Sequence, residues 1–141
     1  MNETDTTSSN EQRIRDFVGK VQQEGRLDLI DTLVHPDYRD HTAEPGQGTD
    51  RDGVRATMAA MHTAFTDLSV EILHCVAHSG IVATHKLFRG RHTGPWFGVP
   101  PSGRQVEFRV MDMVGFRDGR MYEHWAVADS LTLLRQTGAL P

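Results

Sequence analysis

Residues 105–129, QVEFRVMDMVGFRDGRMYEHWAVAD, decide the fold. Val106, Phe108, Val110, Val114 and Phe116 recur at a period of two, the pattern of a strand with one face buried. Asp118-Gly119 then supplies a tight hairpin turn, and residues 120–127 return antiparallel. Asp112 shares the buried face. A carboxylate among Val and Phe side chains loses hydration, which disfavours its charged form unless a partner compensates, so Asp112 is either paired or in use. A two-residue loop sets Trp125 opposite Asp112, and a three-residue loop with a glycine bulge sets His124 there, because a one-residue slip exchanges the two faces. The alternation of Met121, Trp125 and Val127 favours Trp125, yet either register leaves an acid, an imidazole and an indole in one hairpin.

Upstream of the hairpin, residues 94–104, GPWFGVPPSGR, hold three prolines and three glycines and form a long connection carrying Trp96 and Phe97. Aromatics on such a loop read as a rim or lid over a cavity, or fold back onto the sheet. Residues 81–93 make a long strand, and Val70, Ile72, His74 and Val76 alternate before a Ser79-Gly80 turn. Ahead of these strands the period is helical. Asp52 opens a helix lined by Val54, Met58, Met61 and Phe65, where methionines either fill a core or line an adaptable pocket. Ser8 and Glu11 have capping-box spacing before Ile14, Phe17, Val18 and Val21, with Gly25 as a stop. A shorter helical segment over residues 26–34 ends near Pro36, and Tyr38 and His41 fall in an irregular piece before the Gly/Pro-rich loop 44–50. Ser130 caps a short last helix, with Gly138 near its end. Helices first and a meander after predict an α+β fold: N-terminal helices packed on one curved antiparallel or mixed sheet, a cone whose interior holds a ligand.

At 141 residues the chain is read as a flexible polar tail over residues 1–9 and a single domain over residues 10–141. A net charge of -4, a pI near 6.0 and the lack of a Lys/Arg stripe argue against a nucleic-acid surface. No apolar run has spanning length and the N-terminus lacks a signal-peptide pattern, so the expectation is a cytoplasmic protein without a membrane partner. The lone Cys75 excludes an internal disulfide and reads as a small buried side chain rather than a nucleophile. Eight histidines lack HExxH or HxH spacing, and only the fold could gather His41, His92 and His124 around Asp112, so no metal is expected. His35, His62, His74, His78 and His85 read as surface or strand residues. There is no GxSxG elbow, phosphate loop or dinucleotide fingerprint.

The layout resembles the SnoaL-like polyketide cyclase family within the nuclear-transport-factor-2-like α+β barrel superfamily. The residues that carry the likeness are HPDYRDH (35–41), GRHTGPWFGVPPSGR (90–104), the hairpin RDGRMYEHW (117–125), Asp129 and LLRQTG (133–138). The resemblance implies a cone-shaped cavity for polycyclic aromatic polyketide intermediates, no metal or organic cofactor, and an oligomer, here a homodimer. Cyclases of the family close a last ring by intramolecular aldol addition. By position, His92 matches a pocket histidine, Asp112 stands where the cyclase has an active-site histidine, and His124 matches a histidine of an acid–histidine pair. The cyclase's general acid/base aspartate, two residues after that histidine, is Ala126 here. Either Asp112 takes over the proton transfer or the reaction differs, as in the branch that looks like cofactor-independent anthracycline hydroxylases.

Removing a proton from carbon between two carbonyls needs a base near the carbon and a donor near the developing enolate oxygen. Asp112 is the expected base and His124 or His92 the donor, with Trp125, Trp96 and Phe97 stacking on flat rings. Tyr38, His41, Phe65 and Arg109 complete the expected substrate contacts. The competing structural reading pairs Asp112 with Arg109 or a histidine to hold the sheet. The functional expectation is a tailoring enzyme of anthracycline-type biosynthesis, acting by aldol-type cyclisation or by hydroxylation, the latter with a partner reductase. The alternative is a non-catalytic small-molecule-binding protein.

Overall fold

The computed structural model describes residues 3–141, with side chains from residue 6 onward. Helix α1 (Glu3–Asp16) runs on into a wide π-helical stretch (Phe17–Gln23). A 3-10 turn (Leu27–Leu29), α2 (Ile30–Leu33), β1 (Val34–Asp40) and α3 (Arg51–Ala64) follow. Then come β2 (Phe65–His78), β3 (Ile81–His92), β4 (Gln105–Arg117), β5 (Arg120–Ala128) and α4 (Ser130–Thr137). The strands form one sheet in the order β1-β5-β4-β3-β2, antiparallel except that β1 runs parallel to β5. Four helices on a five-stranded mixed sheet are the α+β architecture the sequence predicts.

The alternation that predicts the strands also decides which face the helices cover. Val82 and Phe88 of β3 and Val106, Phe108 and Val114 of β4 turn inward and meet Ile14, Phe17 and Val18 of the first helical segment, Met58 and Met61 of α3, and Leu133 of α4. Phe65 and Phe88 are almost wholly buried, each contributing about 1.5–3 kcal/mol by area. Helix α3 starts at Asp50, whose Oδ1 accepts the Gly53 N–H at 2.9 Å, and α4 starts at Asp129, whose Oδ1 accepts the Thr132 N–H at 3.1 Å. Aspartate, not Ser130, is therefore the cap of the last helix.

Two segments differ from the sequence reading. Ser8 lies inside α1, which is helical from Glu3; residues 1 and 2 of the expected tail lie outside the described residues. The (i, i+4) pairs Glu11–Arg15 and Gln12–Asp16, each at 3.0 Å, support this polar helix. Residues 34–40, expected as a helix end and an irregular piece, form β1. Proline has no N–H to give a ladder and is tolerated because β1 is an edge strand whose pairing is interrupted between Val34 and Arg39. A parallel pairing also leaves no hairpin turn in the sequence to announce it.

The central hairpin settles its register in a third way. Asp118 and Gly119 have φ values of 52° and 74°, a two-residue turn with Arg117 facing Arg120. Phe116 pairs with Met121 and Gly115 with Glu123, so Tyr122 is an extra residue in the return strand. This bulge places Ala126 opposite Asp112 and His124 opposite Val114, both on the inner face. Trp125, opposite Met113, goes to the outer face. The apolar alternation that favours Trp125 is broken by the bulge.

The loop after β3 is pinned at its start. A Cβ on Gly94 would stand 2.2 Å from the Thr63 carbonyl oxygen, so only glycine lets the loop pass under the end of α3. The Thr93 and Gly94 N–H groups both donate to the Ala64 carbonyl.

Candidate functional site

Between the helices and the inner face lies a cavity of about 520 Å³, within the roughly 300–1,000 Å³ of small-molecule sites. Phe17, Met58, Met61, Phe88, Phe108 and Leu133 are among its apolar walls, so the α3 methionines line a pocket as well as filling the core. Apart from the exposed Glu44 of the loop after β1, its charged groups gather where β1, β5, β4 and β3 present neighbouring inner-face residues: Asp40, His124, Asp112 and Lys86.

These four form a chain of alternating charge. Lys86 Nζ donates to Asp112 Oδ2 at 2.9 Å and reaches Gln22 Oε1 at 3.4 Å. The Thr84 hydroxyl donates to Asp112 Oδ1. His124 Nε2 lies 3.2 Å from Asp112 Oδ2, and its Nδ1 lies 3.3 Å from Asp40 Oδ2. Asp40 Oδ1 accepts the Thr42 N–H at 3.0 Å and its hydroxyl at 3.3 Å. The Thr42 hydroxyl also accepts the Ala126 N–H at 2.8 Å, tying the end of β1 to β5. The wide π-helical stretch turns Gln22 inward to complete the Lys86 contact.

The proton affinities follow from these partners. Burial alone would raise Asp112, but Lys86, His124 and Thr84 outweigh it and hold the carboxyl well below the usual range. Asp40 likewise lies below its usual value, burial being outweighed by His124 and Thr42. Burial would lower His124, but bonding to Asp112 and Asp40 wins and raises it, which favours the imidazolium between two carboxylates. Tyr38 is raised strongly by burial and by the nearby charges of Asp40 and Asp112, so its hydroxyl keeps its proton as a donor at the cavity wall. Desolvation therefore does not make Asp112 a strong base here, contrary to the expectation from its apolar neighbours. A lysine that the expectation lacked compensates it.

His92 is fully buried and lies elsewhere in the cavity, eight residues along β3 from Thr84, the partner of Asp112. That is about 26 Å measured along the strand, too far for the two to share a proton. Its Nδ1 accepts the Ser102 N–H at 3.2 Å and lies 2.9 Å from the Ser102 hydroxyl. The ring hydrogen therefore sits on Nε2, a buried atom in the cavity wall without a protein partner. Phe65 and Trp96 line this region with their rings 5.5 Å apart, and Phe97, half-exposed with a left-handed φ of 45°, stands at the mouth.

The structure thus brings Asp112, His124, Tyr38, His92, Phe65, Trp96 and Phe97 to one cavity and leaves three expected residues outside it. Trp125 and His41 stack on each other at 4.9 Å, His41 pairing with Glu123 at 3.1 Å. Arg109 is an exposed residue of β4 and is not the partner of Asp112. Lys86 and Thr84 were legible: Val82, Thr84, Lys86 and Phe88 alternate on the same face of β3. Asp40 carried no signal, because its strand did not read as one. Among the described residues no three His, Cys, Asp or Glu side chains converge in a metal-holding arrangement.

A helix-covered mixed sheet closed over an apolar cavity, with titratable groups confined to parts of its wall, defines a small-molecule-handling α+β barrel. The chain belongs to the SnoaL-like polyketide cyclase family, whose model matches residues 12–137. It is 27% identical over 116 residues to the nogalonic acid methyl ester cyclase of Streptomyces nogalater, covering 81% of this chain and 87% of that one. TsrD from Streptomyces laurentii superposes with a TM-score of 0.87 at 31% identity, covering 94% of this chain and 97% of that one. AclR from Streptomyces galilaeus, a candidate hydroxylase, superposes with a TM-score of 0.83 at 27% identity, covering 96% and 84%.

Proposed function

We propose that the protein is a tailoring enzyme of aromatic polyketide biosynthesis that moves protons at an enolisable carbon of a polycyclic methyl ester or ketone. The observation that carries this reading is a continuous Asp–His–Asp–Lys chain, buried at Asp112 and Lys86 and partly buried at His124 and Asp40, in the wall of a mostly apolar, ligand-sized cavity. Flat rings fit between the aromatic and methionine walls, and oxygen atoms meet the Tyr38 hydroxyl at the charged wall and the unpartnered His92 Nε2–H in the remote one. Loss of the carbon-bound proton gives an enolate whose oxygen is met by a donor that cannot ionise at neutral pH. Asp112 holds His124 and Lys86 in place for this step and keeps the imidazolium charged.

The enolate carbon then has two fates. Attack on a carbonyl of the same molecule forms the ring, the carbonyl electron pair becoming an alkoxide that takes back the proton. Reaction with oxygen gives a hydroperoxide, which needs two electrons from a partner reductase to become the alcohol; the likeness to AclR favours keeping this second fate. In this reading the outer sheet face is covered by a second copy of the chain.

The test is incubation of the purified protein with anthraquinone methyl esters bearing an enolisable side chain and a ketone placed to close a ring, under air and under nitrogen. Ring closure yields an isomer of unchanged mass in both atmospheres; reaction with oxygen adds two oxygen atoms, as the hydroperoxide, only in air, and a single oxygen once a reductant is supplied. Tight binding of the compounds without conversion in either gas would overturn the enzyme reading in favour of a carrier.

A further inference from the structure

We infer that the general base of the site is Asp40, a residue of the edge strand β1, and that Asp112 is a positioning residue behind it. The inference rests on the proton-transfer reading above. Of the four groups in the charge chain, three are committed. Lys86 is a cation. His124 directs its two ring nitrogens at the two carboxylates. Asp112 takes hydrogen bonds from Thr84, Lys86 and His124, one donor being a buried ammonium, and its side chain is only 6% exposed. Asp40 differs on each count. Its side chain is 19% exposed, lines the cavity, and takes two hydrogen bonds on Oδ1, both from the neutral Thr42. Oδ2 has one neighbour, the His124 Nδ1 at 3.3 Å, and keeps a lone pair open toward a ligand. A base must reach the proton it removes, and of the two carboxylates in the chain Asp40 is the more exposed and the less engaged, with no ammonium beside it.

The step balances within the site. The substrate C–H bond breaks and an O–H bond forms on Asp40 Oδ2, while the C–H electron pair moves onto the carbonyl oxygen as an enolate beside the Tyr38 hydroxyl. The His124 imidazolium, held by Asp112, stands next to Asp40 while it is protonated and can lend its own proton to a later alkoxide. Ala126, opposite Asp112 and bonded through its N–H to the Thr42 hydroxyl, presents only a methyl group to the same stretch of cavity wall.

That methyl group supplies the test. Deuterium wash-in at the methylene of methyl anthraquinon-2-ylacetate in D2O reads proton abstraction without requiring ring closure, and quenching of Trp96 fluorescence reads binding and an intact fold. Asp40→Asn should bind the compound as the wild type does and lose at least about 100-fold in wash-in rate, the scale of general-base catalysis. Adding Ala126→Asp to that variant, which returns a carboxylate to the same wall, should recover about tenfold or more. The inference is overturned if Asp40→Asn exchanges within about tenfold of the wild type, or if the double variant is no faster than the single one. Wild-type protein that binds the compound but leaves its methylene unexchanged would sink the proton-transfer reading itself, and Asp40 with it.

Discussion

The two faces of the sheet are built from alternate residues of the same strands, and each carries a group of residues opposite to its general polarity. The inner face buries Thr84, Lys86 and Asp112 and carries the partly buried His124. The outer face exposes Val76, Met111, Met113 and Val127 to between 43% and 76%. Charge on the inside is costly unless it is paired, and apolar surface on the outside is unfavourable unless it is covered. Inside, pairing is visible: a cation and two hydrogen-bond donors meet Asp112. The difference teaches that the sheet is specified by more than its own packing. In the proposed reading one face meets a polar reactant and the other a second copy of the chain.

The sharpest way to break the comparison is to remove the inner cation. Lys86→Met leaves Asp112 buried with only Thr84 and His124, and deleting one partner of a buried pair costs about 3–5 kcal/mol. Urea unfolding should show that loss. Adding Asp112→Asn removes the stranded charge and should return most of it. A single-variant loss below about 1 kcal/mol would mean that water already reaches the chain, so that the inner face is no drier than a surface ion pair.

Changing pH adds or removes a proton on one partner and leaves both side chains in place, so its effect is smaller. Asp112 and Asp40 have lowered folded values; their contribution is present above the ordinary carboxylate range and is lost as pH falls through those lower values. His124 has a raised folded value; its contribution is complete below the ordinary imidazole value and is lost as pH rises through the raised one. A Tm profile should therefore show a plateau with an acid limb below the usual carboxylate range and an alkaline shoulder above the usual imidazole value. His124→Asn should erase the shoulder. A shoulder unmoved in that variant would assign it to another group.

How much of this was legible depended on whether a residue sat in a pattern that announces itself. Asp112 and the hairpin were readable because alternation and Asp118-Gly119 are local signals. Lys86 sat in equally regular alternation, and its role follows once one asks what could pair with Asp112 across the ladder, where Thr84 is the direct partner and Lys86 the next inner residue. The bulge at Tyr122 was not readable, since nothing in RMYEHW distinguishes a strand that pairs evenly from one with an extra residue. It nonetheless decides that His124 and not Trp125 faces the cavity. Asp40 was hidden for a different reason: β1 is a parallel edge strand containing Pro36, and its register is set by β5, some eighty residues away, as in Asp40 facing His124.

The smallest effect on folding belongs to the outer face. Val127→Ser replaces a side chain that is 76% exposed in the single chain, so within one subunit it removes little burial and should shift unfolding free energy by no more than about 0.5 kcal/mol. The consequence for association is the informative part. If a second copy covers this face, Val127→Asp buries an unpaired carboxylate in each subunit and should move the sedimenting species from twice the chain mass to the chain mass of 15.8 kDa, while the isolated fold and its circular dichroism stay the same. Wild-type protein that sediments as a single chain would show that the outer apolar residues are merely tolerated. The charged cluster inside would then be the one departure that function demands, set by the cavity alone.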